Sequence, residues 1–420
     1  MIPIYGSINA DLERWFHEAG KPRRVDFASI IKTVGEGGEE ALHYVNLRRF
    51  GVDTRRSGLY VNSQDVTEAL ESMPDGVREA VNVLVNRFIN LWRRRLSNIS
   101  QYISPASGVN ISFLYKPLDA VAIILPHDGY IYALNTLTAA YAAGVKNVYV
   151  VSPPVYNEGV PHPMVLAIYD SLKYGYILKC DSYYGLAYLL YGKRYRGYFD
   201  KFVVASEIYR SLPNKYISSR ILPVKPVNRV CYLIDGTADI ESIILDIYAW
   251  LELLNDVKIC IVSLNRTALH ELVETELSIR RRALYSLYSK KVDSNVVSLL
   301  AGSYNEAIAM VSRLSPDYLN IVVERDSMYR LVDYIRNVPL VCVGRQALTP
   351  YTRLFAGMPI LLNDLDYKVV HTCMDYININ SYGRVEPDAL FADFELLSSI
   401  LDWLEKPLNN LLLRHSIDSI

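Results

Sequence analysis

Short apolar runs separated by stretches of helical periodicity fill the chain from about residue 120 to residue 345. The runs are rich in valine and isoleucine, and they lie at 121–125, 148–152, 202–205, 230–234, 259–264, 296–300, 319–323 and 340–343. Runs of this kind are typical of parallel strands that are buried on both faces. The pattern therefore predicts an α/β fold with two Rossmann-like, doubly wound lobes.

Helical patterns dominate the two ends of the chain. A helical segment at 27–50 is interrupted by glycines, Ser63 is in position to cap a helix, and 77–96 is strongly amphipathic. Near the other end, 387–413 carries an apolar stripe that Pro407 is expected to interrupt or kink. The predicted regions are a helical N-terminal region (1–109), lobe 1 (110–235), lobe 2 (236–365) and a C-terminal helical tail (366–420).

Charge and composition narrow the function classes. The 420 residues include 44 basic and 45 acidic side chains, so the chain as a whole has no excess charge to neutralise a nucleic acid. No apolar run reaches about 18 residues and no signal peptide is present, so we expect neither a membrane span nor secretion. Five scattered cysteines indicate buried thiols in a cytoplasmic protein. The 33 tyrosines suit either compositional drift or subunit interfaces.

Few residues carry an obvious chemistry. His127 and Asp128 follow the first predicted strand, where open α/β sheets bind ligands, but with Pro126 and Gly129 they also suit an ordinary turn. No glycine-rich phosphate-binding motif follows any strand, and no two histidines lie within four residues of each other. Asp235 and Asp239 form either an acid/base pair or, as we favour, a turn that caps the next helix.

Segments along almost the whole chain are similar, in the same order, to the histidinol dehydrogenase family. The longest of them runs from a strand at 121–126 through Ala143-Gly144-Val145 to Ser152-Pro153-Pro154. It resembles the family's strand, turn, helix, AGV and PP sequence. The other similar segments are 37–44, 59–63, 77–96, 186–192, 200–203, Gly236, 315–319 and 356–357.

The resemblance implies two Rossmann-like lobes and a homodimer that shares its active sites across the interface. The family oxidises L-histidinol to L-histidine in two NAD-dependent steps. In the family, zinc holds the substrate and a Glu-His pair moves protons, roles that need nitrogen and oxygen ligands in fixed geometry and a base near neutral pKa.

The zinc and proton-transfer positions of the family are largely replaced in this chain. The Glu-His pair falls on Asp317 and Tyr318, and tyrosine, with an ordinary pKa near 10, is a poor substitute for histidine. The resemblance implies that three zinc ligands are lost and that one C-terminal histidine is the sole retained candidate. The lost ligand positions are Trp250, Leu253 and Arg353, and the retained candidate is His415.

The cofactor and substrate positions are substituted as well. The resemblance aligns the family's cofactor-binding residues with Ile124, Tyr184 and Glu207, and its two glycines with His127 and Asp128. Side chains then stand where backbone must approach a ligand closely. The substrate positions are Ala238 and Asn410.

These replacements favour a non-catalytic family member that acts as a partner, regulator or binding protein, as a homodimer or with a different protein. We expect it to hold neither NAD nor zinc, and to bind neither nucleic acid nor membrane. The alternative is an active oxidoreductase in or near histidine biosynthesis with altered chemistry. That enzyme would reuse acids and a histidine of the same crevice, namely Asp317, His127, Asp128, Glu207 or Asp239.

Overall fold

The structure, a computed structural model, describes residues 2–19, 25–97, 101–106, 109–113, 117–216, 220–225, 228–254, 256–335, 338, 340–344, 361–362, 395–396 and 398–418. The described strands are β1 (Ile4–Tyr5), β2 (Gln101–Ala106), β3 (Val109–Phe113), β4 (Ala120–Ile124), β5 (Asn147–Ser152), β6 (Tyr176–Lys179), β7 (Lys201–Ala205), β8 (Ile221–Lys225), β9 (Arg229–Ile234), β10 (Lys258–Ser263), β11 (Val296–Leu300), β12 (Tyr318–Val322), β13 (Leu340–Val343) and β14 (Leu361–Leu362).

The described helices are α1 (Ala10–His17), α2 (Phe27–Gly37), α3 (Glu39–Phe50), α4 (Thr54–Ser57), α5 (Ser63–Glu71), α6 (Asp75–Ser97), α7 (Tyr130–Ala143), α8 (Pro163–Leu172), α9 (Ser182–Tyr191), α10 (Ser206–Ser211), α11 (Ile240–Leu253), α12 (Arg266–Ile279), α13 (Ala283–Ser286), α14 (Ser289–Asn295), α15 (Tyr304–Leu314), α16 (Arg325–Val332) and α17 (Pro407–Asp418). Within the residues that the structure describes, one 3-10 turn lies at Asn214–Tyr216. Among the described helices, none is long and apolar enough to cross a membrane.

The chain divides into two compact units, each built around its own sheet. Unit 1 comprises Met1–Lys21, Val227–Pro359 and Asp366–Ile420, and unit 2 comprises Pro22–Pro226 and Ile360–Leu365. The chain passes from one sheet to the other before β9, whereas we expected the lobe boundary after it, at 235. Strand β9 lies in the middle of the unit 1 sheet because both of its edges pair with strands of that unit.

Unit 1 contains a six-stranded parallel sheet, sheet A, in the order β1-β11-β10-β9-β12-β13. Apolar side chains alternate between its two faces along each strand. One face packs on α11 and α12, and the other packs on α1, α15 and α16. A parallel sheet covered by helices on both faces is the doubly wound arrangement that the apolar runs predict, and the prediction is confirmed.

Unit 2 contains a second six-stranded sheet, sheet B, in the order β14-β8-β7-β4-β5-β6. It is parallel except for β14, which runs antiparallel to β8. One face buries apolar side chains against α2, α9 and α10. Strands β2 and β3 form a separate antiparallel hairpin across the end of the region that we expected to be helical, 1–109.

Local chemistry corrects two details of the sequence-based prediction and confirms a third. The helical segment at 27–50 is two helices, because Gly38 takes a φ of +55° between them. The cap of α5 is Asn62 rather than Ser63: the Asn62 side chain accepts from the Asp65 amide at 2.9 Å, and the Asp65 carboxylate accepts from the Asn62 amide at 3.0 Å. Pro407 interrupts the helical segment, as expected: the helical residues before it end at 403, and α17 begins at Pro407, since proline's missing N–H costs nothing at a first helical position.

Candidate functional site

Helix α11 carries two of the positions to which the resemblance assigns zinc ligands. Its N-terminus is capped by Asp239, whose carboxylate accepts from the Ser242 amide, so the capping interpretation of that aspartate is confirmed. Trp250, near the other end of the helix, is completely buried against sheet A, whereas Leu253 is half-buried. The Trp250 indole meets the Tyr318 ring edge to face, with 5.3 Å between centroids.

A fully buried polar group lies beside this aromatic pair. The Tyr232 hydroxyl donates to the Asp246 carboxylate at 2.5 Å, and both residues are inaccessible to solvent. Burial, with nearby Cys342 and Asp246 adding to it, raises the pKa of Tyr318 well above its ordinary value. The Tyr318 hydroxyl therefore stays protonated at neutral pH and has no capacity to act as a general base.

Asp317, at the start of β12, is held in an ion pair at the amino ends of the strands of sheet A. Its carboxylate accepts from the backbone amides of Asn228 and Arg229 at 3.2 and 3.1 Å. The Arg229 guanidinium donates to the same carboxylate through Nε at 3.2 Å and Nη2 at 2.6 Å. Both oxygens of this carboxylate thus accept hydrogen bonds, which hold the side chain in one orientation.

The C-terminal candidates lie on or near α17. Asn410 is buried, accepts from the Ser398 hydroxyl at 2.7 Å and donates to the Asp402 carboxylate. Glu252 of α11 accepts from the backbone amides of Leu408 and Asn409, which caps the start of α17. His415 belongs to the last turns of this helix, and Arg353 lies outside the described residues.

A second acidic group lies at the carboxyl end of β9. The Asp235 carboxylate accepts from the Thr237 amide at 2.8 Å, the Thr237 hydroxyl at 2.7 Å and the Glu324 amide at 2.8 Å. Burial raises the pKa of this carboxyl, but these hydrogen bonds outweigh burial and leave the pKa below its ordinary value. Ala238, the substrate position implied by the resemblance, packs as a half-buried residue against the core of sheet A.

The carboxyl ends of sheet B carry the cofactor candidates. Ile124, the last residue of β4, is completely buried. His127 and Asp128 are exposed in the turn before α7, and the His127 ring stacks on Phe50 with 6.2 Å between centroids. Glu207 lies in α10.

Tyr184 lies in the first turn of α9, next to an ion pair between Arg49 and Asp181. The Arg49 guanidinium lies 5.3 Å from the Tyr184 ring centroid and donates to the Asp181 carboxylate at 2.6 Å. Asp181 in turn caps α9 by accepting from the Tyr183 and Tyr184 amides. The arginine is therefore already neutralised by a carboxylate and stacked on a ring.

Comparison with known proteins decides the family. The family model described as histidinol dehydrogenase matches residues 20–362. This chain belongs to the histidinol dehydrogenase family. The curated histidinol dehydrogenases of Staphylococcus aureus and Methanothermobacter thermautotrophicus are 23% and 24% identical to it, over 75% and 76% of this chain and 75% and 74% of theirs.

The fold agrees with the family over the full length. The structure of histidinol dehydrogenase from Elizabethkingia anophelis superimposes with a TM-score of 0.70 and 16% identity, covering 100% of this chain and 98% of that one. Histidinol dehydrogenases are oxidoreductases of histidine biosynthesis that depend on NAD and zinc. Family membership and α/β fold therefore both agree with the resemblance seen in the sequence.

The residues to which the resemblance assigns zinc ligands do not fit the metal. An indole packed edge to face with Tyr318 and a leucine side chain have no lone pair to offer zinc. Within the described residues, no three His, Cys, Asp or Glu side chains come close enough together to hold a metal ion. The side chains of Trp250 and Tyr318 instead complete the hydrophobic core under α11.

Two important groups were not singled out from the sequence. Arg229, the partner of Asp317, lies 88 residues away from it in the chain. Lys179 is completely buried at the end of β6, where its ammonium donates to the Asp65 carboxylate at 2.9 Å and to the Ser57 carbonyl at 3.0 Å. The sequence signal for the pair of Lys179 and Asp65 is a single lysine at the end of an apolar run, because lysine is rarely buried without a partner.

Proposed function

We propose that this protein is a histidinol dehydrogenase family member without the zinc-dependent oxidation of L-histidinol, and that it acts as a non-catalytic partner or binding protein. The observation that carries the proposal is the contact between Trp250 and Tyr318. These residues stand where the resemblance assigns a zinc ligand and the catalytic histidine, and they pack against each other with no exposure to solvent.

The remaining carboxylate supports the same proposal. Asp317 replaces the family's glutamate, but it receives four hydrogen bonds from Asn228 and Arg229. A general base has to reach the proton that it removes and release it afterwards. A carboxylate fixed by an arginine and two amides is poorly suited to both steps.

The cofactor side supports it further. Ile124 is buried, and His127 and Asp128 carry side chains where the family has glycines. We propose that the protein holds neither zinc nor NAD as a resident cofactor. By the same resemblance we propose a homodimer, which the mass of the protein in solution, measured by light scattering, will test.

The direct test is NADH formation from L-histidinol by the purified protein, with and without added zinc. The histidinol dehydrogenase of Staphylococcus aureus serves as the positive control in the same buffer. We expect no turnover above background, because losing groups that act as a unit removes nearly all of the rate. Clear turnover by this chain, abolished by a zinc chelator, would falsify the proposal.

A second candidate is an oxidoreductase with altered site chemistry in or near histidine biosynthesis. The observation in its favour is His127, an exposed imidazole at the carboxyl end of β4, where α/β sheets bind ligands. Its test is a comparison of the wild type with His127→Ala, using NAD and a set of amino alcohols and amino aldehydes. Turnover that disappears in His127→Ala supports this candidate, whereas equal rates for both proteins count against it.

A further inference from the structure

Unit 2 carries a surface of contiguous tyrosine rings that the family chemistry does not use. Tyr149 of β5 lies 5.0 Å from Tyr176 of β6 and 5.9 Å from Tyr198, measured between ring centroids. We call these three residues the tyrosine platform. Tyr176 and Tyr198 are 56% and 44% exposed, so two of the three residues are accessible to a ligand from solvent.

The platform rests on a rigid aromatic base. Tyr195 and Phe199 are buried beneath it, with ring centroids 5.5 and 5.3 Å from that of Tyr149. The Tyr195 hydroxyl is hydrogen bonded to that of Tyr60 at 2.7 Å. The exposed rings are therefore held in position before any ligand arrives, which lowers the entropic cost of binding.

Basic side chains border the platform in the same loop. Lys193, Arg194 and Arg196 lie between α9 and β7 and alternate with tyrosines in the sequence Tyr-Gly-Lys-Arg-Tyr-Arg-Gly-Tyr at 191–198. All three are exposed. Arg194 donates to the Glu39 carboxylate at 3.1 Å, whereas in the described part of the chain no carboxylate pairs with Lys193 or Arg196.

We propose that the tyrosine platform and this basic loop bind single-stranded nucleic acid. Single-stranded nucleic acid is bound by aromatic rings and cations that lie side by side. The bases stack on the rings, and lysine and arginine side chains contact the phosphates of the nucleic-acid backbone. The nearly neutral charge of the whole chain does not oppose this, because salt limits the reach of charge to about 8 Å and only the local cations count. Glu39 neutralises Arg194 of this loop and also accepts from the Tyr188 hydroxyl, and Asp200 accepts from the backbone amides of residues 119 and 120, so the proposal rests on Lys193 and Arg196 as the cations of the loop.

The experiment is fluorescence anisotropy of labelled oligomers of about 15 nucleotides, rU and dT in separate titrations, with the full-length protein. We expect binding that weakens as salt is raised. Tyr176→Ala should weaken it about tenfold, because stacking of one base on an aromatic ring is worth roughly that factor. Tyr176→Phe, which keeps the ring, should bind like the wild type. Tyr334→Ala is the matched control, since Tyr334 is 65% exposed and belongs to unit 1.

Four results would overturn the proposal. They are no binding of either oligomer at low salt, equal affinity of wild type and Tyr176→Ala, an equal loss in Tyr334→Ala, and heparin binding as tight as that of the oligomers. Equally tight heparin binding would mean that the surface attracts any polyanion and that base stacking does not contribute. Tighter binding of rU than of dT identifies RNA as the ligand, and the reverse identifies DNA. A platform variant that changes the mass of the protein in the absence of oligomer would instead assign the surface to a second copy of the chain.

Discussion

Four hydrogen bonds hold the Asp317 carboxylate in place at the start of strand β12. Two are donated by backbone amides at the start of β9 and two by the Arg229 guanidinium. The side chain of Asp317 is 10% exposed and that of Arg229 is 26% exposed, so solvent screens the pair only weakly. At this position the charge stabilises the junction of two parallel strands of sheet A.

Replacing Asp317 by alanine should therefore destabilise the protein strongly. Removing one partner of a buried ion pair costs about 3–5 kcal/mol, because the other charge remains without compensation. Urea unfolding followed by circular dichroism measures the change. Glu40→Ala is the control: Glu40 pairs with Arg55 at an exposed site, and such pairs contribute about 0–1 kcal/mol. Equal effects of the two substitutions would contradict the structural role of Asp317.

His17 makes the same junction sensitive to pH. Its Nδ1 lies 2.9 Å from Nη1 of Arg229, and burial, followed by the charge of Arg229, lowers the pKa of His17 below its ordinary value. A lowered pKa means that the folded state prefers the neutral ring. The contribution of His17 to stability is therefore complete above its ordinary pKa of about 6.5 and is lost as the pH falls from there through the lowered pKa.

The wild type should consequently lose more stability than His17→Gln when the pH falls from about 7.5 to about 5.5. Glutamine can still accept a hydrogen bond from Arg229 but does not titrate. Urea midpoints of both proteins at the two pH values are the measurement. Parallel pH profiles for the two proteins would show that His17 does not titrate against this ion pair.

Helix α11 covers one face of sheet A with large buried side chains. Its buried side, which includes Ile243, Ile247, Trp250 and Leu251, fills the space over sheet A. The resemblance assigns one of the family's zinc ligands to Trp250 on that side. Large apolar side chains fill that side in this protein, so the helix contributes packing energy there.

Trp250→Ala should cost about 3–5 kcal/mol of unfolding free energy, as expected for truncation of a large buried aromatic side chain. Trp15→Ala provides the control, since Trp15 is only half-buried on α1. Thermal and urea unfolding of both variants give the comparison. A cost below about 1 kcal/mol for Trp250→Ala would indicate an open cavity at this position and would weaken the case against a ligand site.

Helix α9 approaches strand β5 closely because of a single glycine. A Cβ placed on Gly185 would lie 2.3 Å from Cγ1 of Val151, a core side chain of sheet B. Gly185→Ala should therefore destabilise unit 2 by about 1–3 kcal/mol through overpacking. In Gly35→Ala the new methyl group on α2 meets no atom within 4 Å, and the higher helix propensity of alanine should stabilise by up to about 1 kcal/mol. Opposite signs in urea unfolding are the expected result.

At the scale of the whole molecule, the buried parallel strands of both sheets could be predicted from the pattern of apolar residues. All eight apolar runs are strands, since a buried parallel strand has a distinctive composition. Strand β6 was missed because it is short and ends on Lys179, and the hairpin at 101–113 was missed because it follows a long helical pattern. The candidate site was predictable only as a set of substituted positions. The partners of Asp317 and Lys179 come from distant segments, and no local pattern encodes such pairs.

Four buried cysteines can be used to follow the unfolding of the two units separately. Cys180 belongs to the core of sheet B, whereas Cys231, Cys260 and Cys342 lie in sheet A. Burial raises the pKa of Cys180 and Cys231, so native thiols should resist alkylation until their unit opens. In a Cys373→Ser background, pulsed alkylation in rising urea with mass spectrometry should label the three sheet A thiols together. Adding Gly185→Ala should lower the urea midpoint for labelling of Cys180 more than the midpoints for labelling of the three sheet A thiols. An equal shift of all four thiols would mean that the two sheets unfold as one cooperative unit.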